Sequence, residues 1–187
     1  MNKIQIRTEV KHRCAEFSNA LLGQWSAQIK LKLKNELGVL RGQRIMAFFP
    51  LPCEPDIRDI LSDLISAGKQ VYLPVVSGDK QIYPVEFTGL HNLVKGPYNL
   101  LEPSGTEFKG EVDIIIVPLV AFSESGARLG HGAGYYDRFL KKHKDAETIG
   151  AAFEFQKYTD IPVEKWDVGL DKIITEEQIY DCKNIKL

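Results

Sequence analysis

The sequence predicts an α/β fold: a three-layer sandwich with a mainly parallel central sheet flanked by helices. Three observations carry that prediction. Short apolar runs alternate with segments of helical spacing, the pattern of strand–helix–strand crossovers that set parallel strands side by side. The run Asp113 to Val117 (DIIIV) is continuously apolar after its first residue, as suits a strand covered on both faces. No repeat, low-complexity tract or linker divides the 187 residues, enough for one domain with a sizeable core and too few for two ordinary ones.

The elements follow in order. Val10, Cys14, Phe17 and Leu21 recur at helical steps, and Trp25, Ile29, Leu33 and Leu37 recur at steps of four. Gly23 or the Ser18-Asn19 pair divides this stretch into two helices, with Ser18 as candidate N-cap, and Gly38 and Gly42 end it. Arg44 to Phe49 reads as a buried strand stopped by Pro50 and Pro52. Pro55 to Ala67 reads as an amphipathic helix with Ile57, Ile60, Leu61 and Leu64 inward, closed by Gly68. Gln70 to Val75 is the next strand, and Ile82 to Phe87 alternates like an edge or antiparallel one. Residues 88 to 110 are punctuated by Pro, Gly and Asn and read mostly as loop. After the strongest strand come a helix from Gly134 to Lys142, a strand from Thr148 to Phe153, and a short last strand holding Ile173 and Ile174.

Composition narrows the function classes. A 44% hydrophobic and 26% charged chain is ordinary for a globular protein, not a disordered or fibrous one. A formal net charge of -1 gives no bulk attraction to nucleic acid or an anionic membrane, so neither is expected as a partner. Three cysteines, Cys14, Cys53 and Cys182, are an odd set with no C-x-x-C spacing. That argues against a disulfide framework and a structural zinc site and suits a reducing compartment, with Cys53 expected as a buried free thiol. The opening MNKIQIRTEVKHR has no apolar segment of the secretory kind, and the apolar runs are too short to span a bilayer. The expectation is a cytoplasmic monomer.

The chemistry gathers in Val117 to Leu140, VPLVAFSESGARLGHGAGYYDRFL, between the strongest strand and a helix. In an open parallel sheet this is the carboxyl edge, where ligands bind. Gly130, Gly132 and Gly134 alternate within five residues, and side chains without Cβ let backbone amides approach a polyphosphate at a helix N-terminus. Arg128 and His131 supply donors for phosphate oxygens, Arg128 as a planar fork. Asp137 follows the glycines at a place suited to the magnesium that accompanies ATP. No Lys-Ser/Thr follows, so this is not the common phosphate loop. On spacing alone the same residues describe a tight turn with positive φ, with Tyr135, Tyr136 and Phe139 packed in the core.

The string RLGHGAGYYDRFL resembles the signature of the 5-formyltetrahydrofolate cyclo-ligase (methenyltetrahydrofolate synthetase) family, R-L-G-x-G-x-G-Y-Y-D. The resemblance covers nearly the whole chain. Lys3-Ile-Gln-Ile-Arg7 is similar to the family's K-x-x-x-R, and Phe49-Pro-Leu-Pro-Cys-Glu54 to the strand end whose glutamate closes the folate site. Gly96-Pro-Tyr-Asn-Leu-Leu-Glu-Pro103, Glu154-Phe-Gln156 and Ile161-Pro-Val-Glu-Lys-Trp-Asp167 fall in order at further family elements.

The resemblance implies an ATP- and Mg-dependent enzyme that converts 5-formyltetrahydrofolate to 5,10-methenyltetrahydrofolate. It assigns Lys3, Ile4, Gln5, Ile6 and Arg7 to ATP from the first helix, with Lys3, Arg7 and Arg128 stabilising the transferred charge. Arg128, Leu129, Gly130, His131, Gly132, Ala133, Gly134, Tyr135 and Tyr136 would form the nucleotide loop. Phe49, Glu54, Tyr98, His131 and Tyr135 would contact the reduced folate, and Asp137 and Asp167 would hold Mg2+. His131, Ala133, Asn99 and Trp166 depart from the residues usual at their positions.

Read without the family, Lys3 and Arg7 are solvated charges on a first helical turn, and Glu54 is an acid ahead of a helix. Asp167 is then a turn residue, Phe49, Tyr98 and Trp166 are core aromatics, and Glu102 serves loop structure. His12, His91 and His143 read as surface residues. Two rivals stand beside the ligase: a non-catalytic nucleotide- or folate-binding relative, and a different α/β enzyme of the sugar-phosphate isomerase or CoA-transferase kind.

Overall fold

The computed structural model describes residues 1–97 and 100–183. Helix α1, Lys3–Glu16, is opened by a capping box in which Asn2 Oδ1 accepts from the Ile4 and Gln5 amides while Gln5 Oε1 accepts from the Asn2 amide. Helix α2, Asn19–Val39, starts where Ser18 Oγ accepts from the Leu21 amide, so the divide falls at Ser18 and Gly23 lies inside the helix. There follow β1 (Arg44–Met46), α3 (Arg58–Ser66), β2 (Gln70–Val76) and β3 (Ile82–Glu86). Next come β4 (Leu93–Lys95), β5 (Leu101–Pro103), β6 (Ile114–Pro118), β7 (Ala121–Phe122) and β8 (Arg128–Leu129). The chain continues with α4 (Tyr135–Lys142), β9 (Glu147–Ala151), β10 (Lys172–Ile174) and β11 (Ile179–Asp181).

The seven-stranded sheet runs β11-β10-β9-β6-β1-β2-β3. Its five inner strands are parallel, and β3 and β11 pair antiparallel at the two edges. Strand β6 shows why the fold has three layers. Successive side chains on a strand point to opposite faces. Ile114 and Ile116 join a core with Ile6, Ile29, Leu33 and Leu61 from α1, α2 and α3. Ile115 and Val117 join the opposite core with Phe139 and Leu140 of α4.

The connections leave the central pair in opposite directions. Strands β1 and β6 are parallel neighbours, Ile45 opposite Ile114. From β1 the chain crosses through α3 to β2 on one side; from β6 it crosses through α4 to β9 on the other. Such a divergence opens a crevice at the carboxyl ends of the two strands. The segments that follow β1 and β6 hold Glu54 and the glycine loop.

Three expectations need correction. Residues 88 to 110 hold more than loop, because β4 and β5 form an antiparallel pair with Leu93 opposite Pro103. The strand at Ile173 is not the last, since β11 follows on the edge. The third concerns cysteine: Cys14 and Cys53 form a disulfide across a sequence separation of 39, with Cα atoms 6.1 Å apart, so Cys53 is not a free thiol. An odd count permits one pair plus one thiol, and Cys182 is that buried thiol. Spacing could not show that the last turn of α1 lies over the loop after β1. The cysteine argument for a reducing compartment therefore falls. Among the described residues, no helix is long and apolar enough to cross a membrane.

Candidate active site

The crevice is a cavity of about 850 Å³. Its walls include Lys3 and Arg7 from α1, Phe49 and Glu54 after β1, every residue from Arg128 to Asp137, and Asp167. Ile4, Gln5 and Ile6 are not on the wall: Ile4 is exposed, Gln5 serves the cap, and Ile6 is in the core. A helix turns 100° per residue, so Lys3 and Arg7, four apart, share a face that their neighbours leave. Tyr98 and Asn99 lie outside the described residues.

The glycine loop is shaped by two left-handed residues and two arginines. Gly134, at φ 69, is the N-cap of α4 and offers its first turn no side-chain partner. The first turn of that helix, Tyr135 to Arg138, lines the cavity, so the positive end of its dipole lies beside it. Gly132 has φ 111, and a Cβ there would stand 3.3 Å from the Arg7 guanidinium carbon. Arg7 Nε donates to the Gly130 carbonyl at 2.8 Å, and an Arg138 terminal nitrogen donates to the Ala133 carbonyl at 2.7 Å. Arg138 also reaches the Lys80 carbonyl and lies 5.6 Å from the Tyr135 ring centre. Its bracing role was missed in the sequence, although it sits inside the matched string.

Two ion pairs line the cavity beside the loop. Arg128 is 3% exposed and bonds Asp137 at 2.8 Å. Burial lowers the Arg128 pKa, opposed by the Asp137 charge, and the guanidinium stays charged. Lys3 bonds Asp167 at 2.6 Å and lies 3.4 Å from Glu164. Asp137 also accepts from the Val168 amide, tying the loop to the segment that carries Asp167.

Glu54 lines the same cavity beside His131 of the loop. One carboxylate oxygen accepts from the Leu51 amide at 2.8 Å. The other, Oε1, is buried without a hydrogen-bond partner among the described residues, as are Arg128 Nε and the Tyr136 hydroxyl. Buried polar atoms are normally bonded, so these three leave hydrogen-bonding capacity available on one cavity wall. Burial raises the Glu54 pKa to about 7. It raises that of Tyr136 as well, with Glu54 adding to the effect. His131 stands 3.8 Å from Glu54 Oε1, and burial and then Arg7 hold its pKa below the usual value. At that distance, and with both groups driven toward neutrality, the contact is not an ion pair.

This arrangement fixes a pH dependence. A carboxyl with a raised folded pKa keeps its proton longer in the native state, so stability falls as pH rises from about 4.5 to about 7. The penalty is about 3 kcal/mol once Glu54 is ionised. Glu54→Gln is expected to melt above the wild type at pH 8 and level with it near pH 4.5. Parallel melting curves across that range would refute the assignment.

The two carboxylates expected to hold a cation, Asp137 and Asp167, both line the cavity and are each held by a positive side chain, Arg128 at 2.8 Å and Lys3 at 2.6 Å. Among the described residues, no three His, Cys, Asp or Glu side chains cluster as a resident metal site. Mg2+ takes one or two carboxylates and completes its shell with phosphate oxygens and water.

Other readings change with the structure. Glu102 belongs to β5; it is buried on the cavity wall and accepts from the Val76 amide. Trp166 is 51% exposed and is no core aromatic. His143 is half-buried against Phe139 and Glu111, not on the open surface.

Comparison with known proteins adds to the geometry. Residues 1–176 match the model of the 5-formyltetrahydrofolate cyclo-ligase family. A protein of Escherichia coli named 5-formyltetrahydrofolate cyclo-ligase is 31% identical over 152 residues, covering 76% of this chain and 83% of its own. One of the same name from Mycoplasma pneumoniae is 41% identical over 160 residues, covering 77% and 87%. The solved structure of Aquifex aeolicus 5,10-methenyltetrahydrofolate synthetase superposes with a TM-score of 0.87 at 29% identity, covering 100% of this chain and 96% of that one.

Proposed function

The chain belongs to the 5-formyltetrahydrofolate cyclo-ligase family, and from that premise we propose that it uses ATP to close the formyl group of 5-formyltetrahydrofolate into the methenyl bridge. The observation that carries the proposal is the set of orphaned polar atoms, Glu54 Oε1, Arg128 Nε and the Tyr136 hydroxyl, on one cavity with a glycine loop and a helix N-terminus.

The chemistry explains why such a site suffices. A formyl group on N5 is amide-like, a weak electrophile whose oxygen leaves poorly. Transfer of the γ-phosphoryl group to that oxygen makes it a leaving group. N10 then attacks the carbon and gives up its proton, and phosphate departs with the oxygen. Phosphoryl transfer asks a protein for alignment and charge neutralisation more than for covalent help. Lys3, Arg7 and Arg128 supply cations, and the first turn of α4 supplies N–H groups. Asp137 and Asp167 would hold Mg2+, which when bound neutralises phosphate charge. Phe49 packs against the pterin, and Glu54, with one oxygen engaged and one unpaired, binds its polar edge.

The decisive experiment incubates the protein with 5-formyltetrahydrofolate, ATP and Mg2+ and follows the near-ultraviolet absorbance of the methenyl product. Product should form with ADP and phosphate, and omission of ATP or Mg2+ should abolish it. Thermal stabilisation by ATP or folate without product would identify a non-catalytic relative.

A further inference from the structure

Trp166 is the second tryptophan of the chain, and its setting differs from that of the first. Trp25 is partly buried in an aromatic cluster with Phe17, Phe153 and Phe155. Trp166 lies on the cavity wall with half its surface open. No aromatic ring packs on it among the described residues, and Lys165 Nζ stands 5.9 Å from its ring centre. The ring is half open while it lines the cavity, so part of its face is available to a ligand there.

Its neighbours identify the part of the cavity. The next residue is Asp167, whose carboxylate holds Lys3 at 2.6 Å, and Glu164 two residues earlier also lies near Lys3. Through the Val168 amide this segment is bonded to Asp137, and through Asp137 to Arg128. Trp166 therefore belongs to the end where Lys3 and Arg128 gather. The same cavity is also lined by Glu54, Pro74, Val76, Ile82 and Glu102, on and beside β1, β2, β3 and β5. A ligand whose anionic groups lie among the cations and the α4 N-terminus would bring the flat group attached to them toward Trp166.

We propose that Trp166 is a stacking platform for the base of the nucleotide and a determinant of nucleotide affinity. The inference rests on the ATP reading of the site and goes beyond it in assigning the base. An indole face offers no hydrogen-bond readout, so stacking tolerates any planar base. Nucleotide choice should accordingly be loose, with purines favoured by their larger face.

The test uses the full-length protein and two readouts. Trp166→Ala should raise the KM for ATP about five- to a hundred-fold, the span for loss of one base–aromatic stack, with kcat and the folate KM nearly unchanged. Trp166→Phe should recover most of the loss. In a Trp25→Phe background, a non-hydrolysable ATP analogue should quench the remaining tryptophan fluorescence, and inorganic tripolyphosphate, which lacks a base, should not. Turnover with an unmoved ATP KM and no quench would overturn the platform while leaving the ligase reading intact. A quench without any methenyl product would do the reverse. A rise confined to the folate KM would assign the ring to the other substrate and overturn the proposal.

Discussion

Arg128→Lys is expected to cut ATP-dependent methenyl formation by about 10²–10³-fold, the usual cost of removing one preorganised donor from a charge-stabilising site. The substitution keeps a positive charge beside Asp137, so the fold should survive. What it loses is the fork. A guanidinium presents several donors in one plane, and here a terminal nitrogen holds Asp137 at 2.8 Å while Nε is buried and unbonded. A lysine ammonium can meet the carboxylate but cannot also present a second donor at a fixed angle. Arg128→Ala removes the charge as well and leaves Asp137 without its guanidinium, so it should melt measurably lower than the lysine variant. Steady-state kinetics beside thermal melts would separate the two effects. A lysine variant with a third or more of wild-type turnover would remove Arg128 from the charge-stabilising set.

Reduction of Cys14–Cys53 is expected to lower stability by about 4 kcal/mol, because the bond restricts the unfolded chain across a loop of this length. For a chain of this size that corresponds to a fall of about 8–16 °C in melting temperature. The bond also carries a functional consequence. It ties α1, which carries Lys3 and Arg7, to the loop that carries Glu54, so it links two walls of the cavity. Cys53 holds a left-handed conformation, φ 69, that is uncommon for a residue with a Cβ. Reduced protein should therefore show a higher folate KM along with its lower melting point. The Cys14→Ala, Cys53→Ala double variant should melt alike with and without dithiothreitol. If reductant leaves the wild-type midpoint unmoved, the bond does not contribute to the native state in solution.

Much of the architecture was legible because it depends on local pattern. Ser18 divided the helices by a capping chemistry that needs only its own neighbours, and Asp113 to Val117 announced the central strand by continuous apolarity. The glycine loop was legible as a tight turn with positive φ, as Gly132 and Gly134 show, and as part of a family signature. Residues 88 to 110 misled because β4 and β5 are three residues each, too short to show a period. Trp166 misled because aromatic character favours burial on average, while this ring stays at a cavity mouth.

By itself the sequence determined the helices and the inner strands of the sandwich, the faces that must be buried, and the place of the glycine-rich turn after the central strand. Those properties follow from spacing within a few residues. The tertiary structure alone decided that the chain diverges at β1 and β6 to open the crevice, and that Arg128 meets Asp137 while Lys3 meets Asp167. It alone decided that Glu54 is buried deeply enough to titrate near neutrality, and that Cys14 reaches Cys53. Periodicity reports that a face is hidden but not what hides it, and charge pairing, desolvation and cross-links depend on the partner.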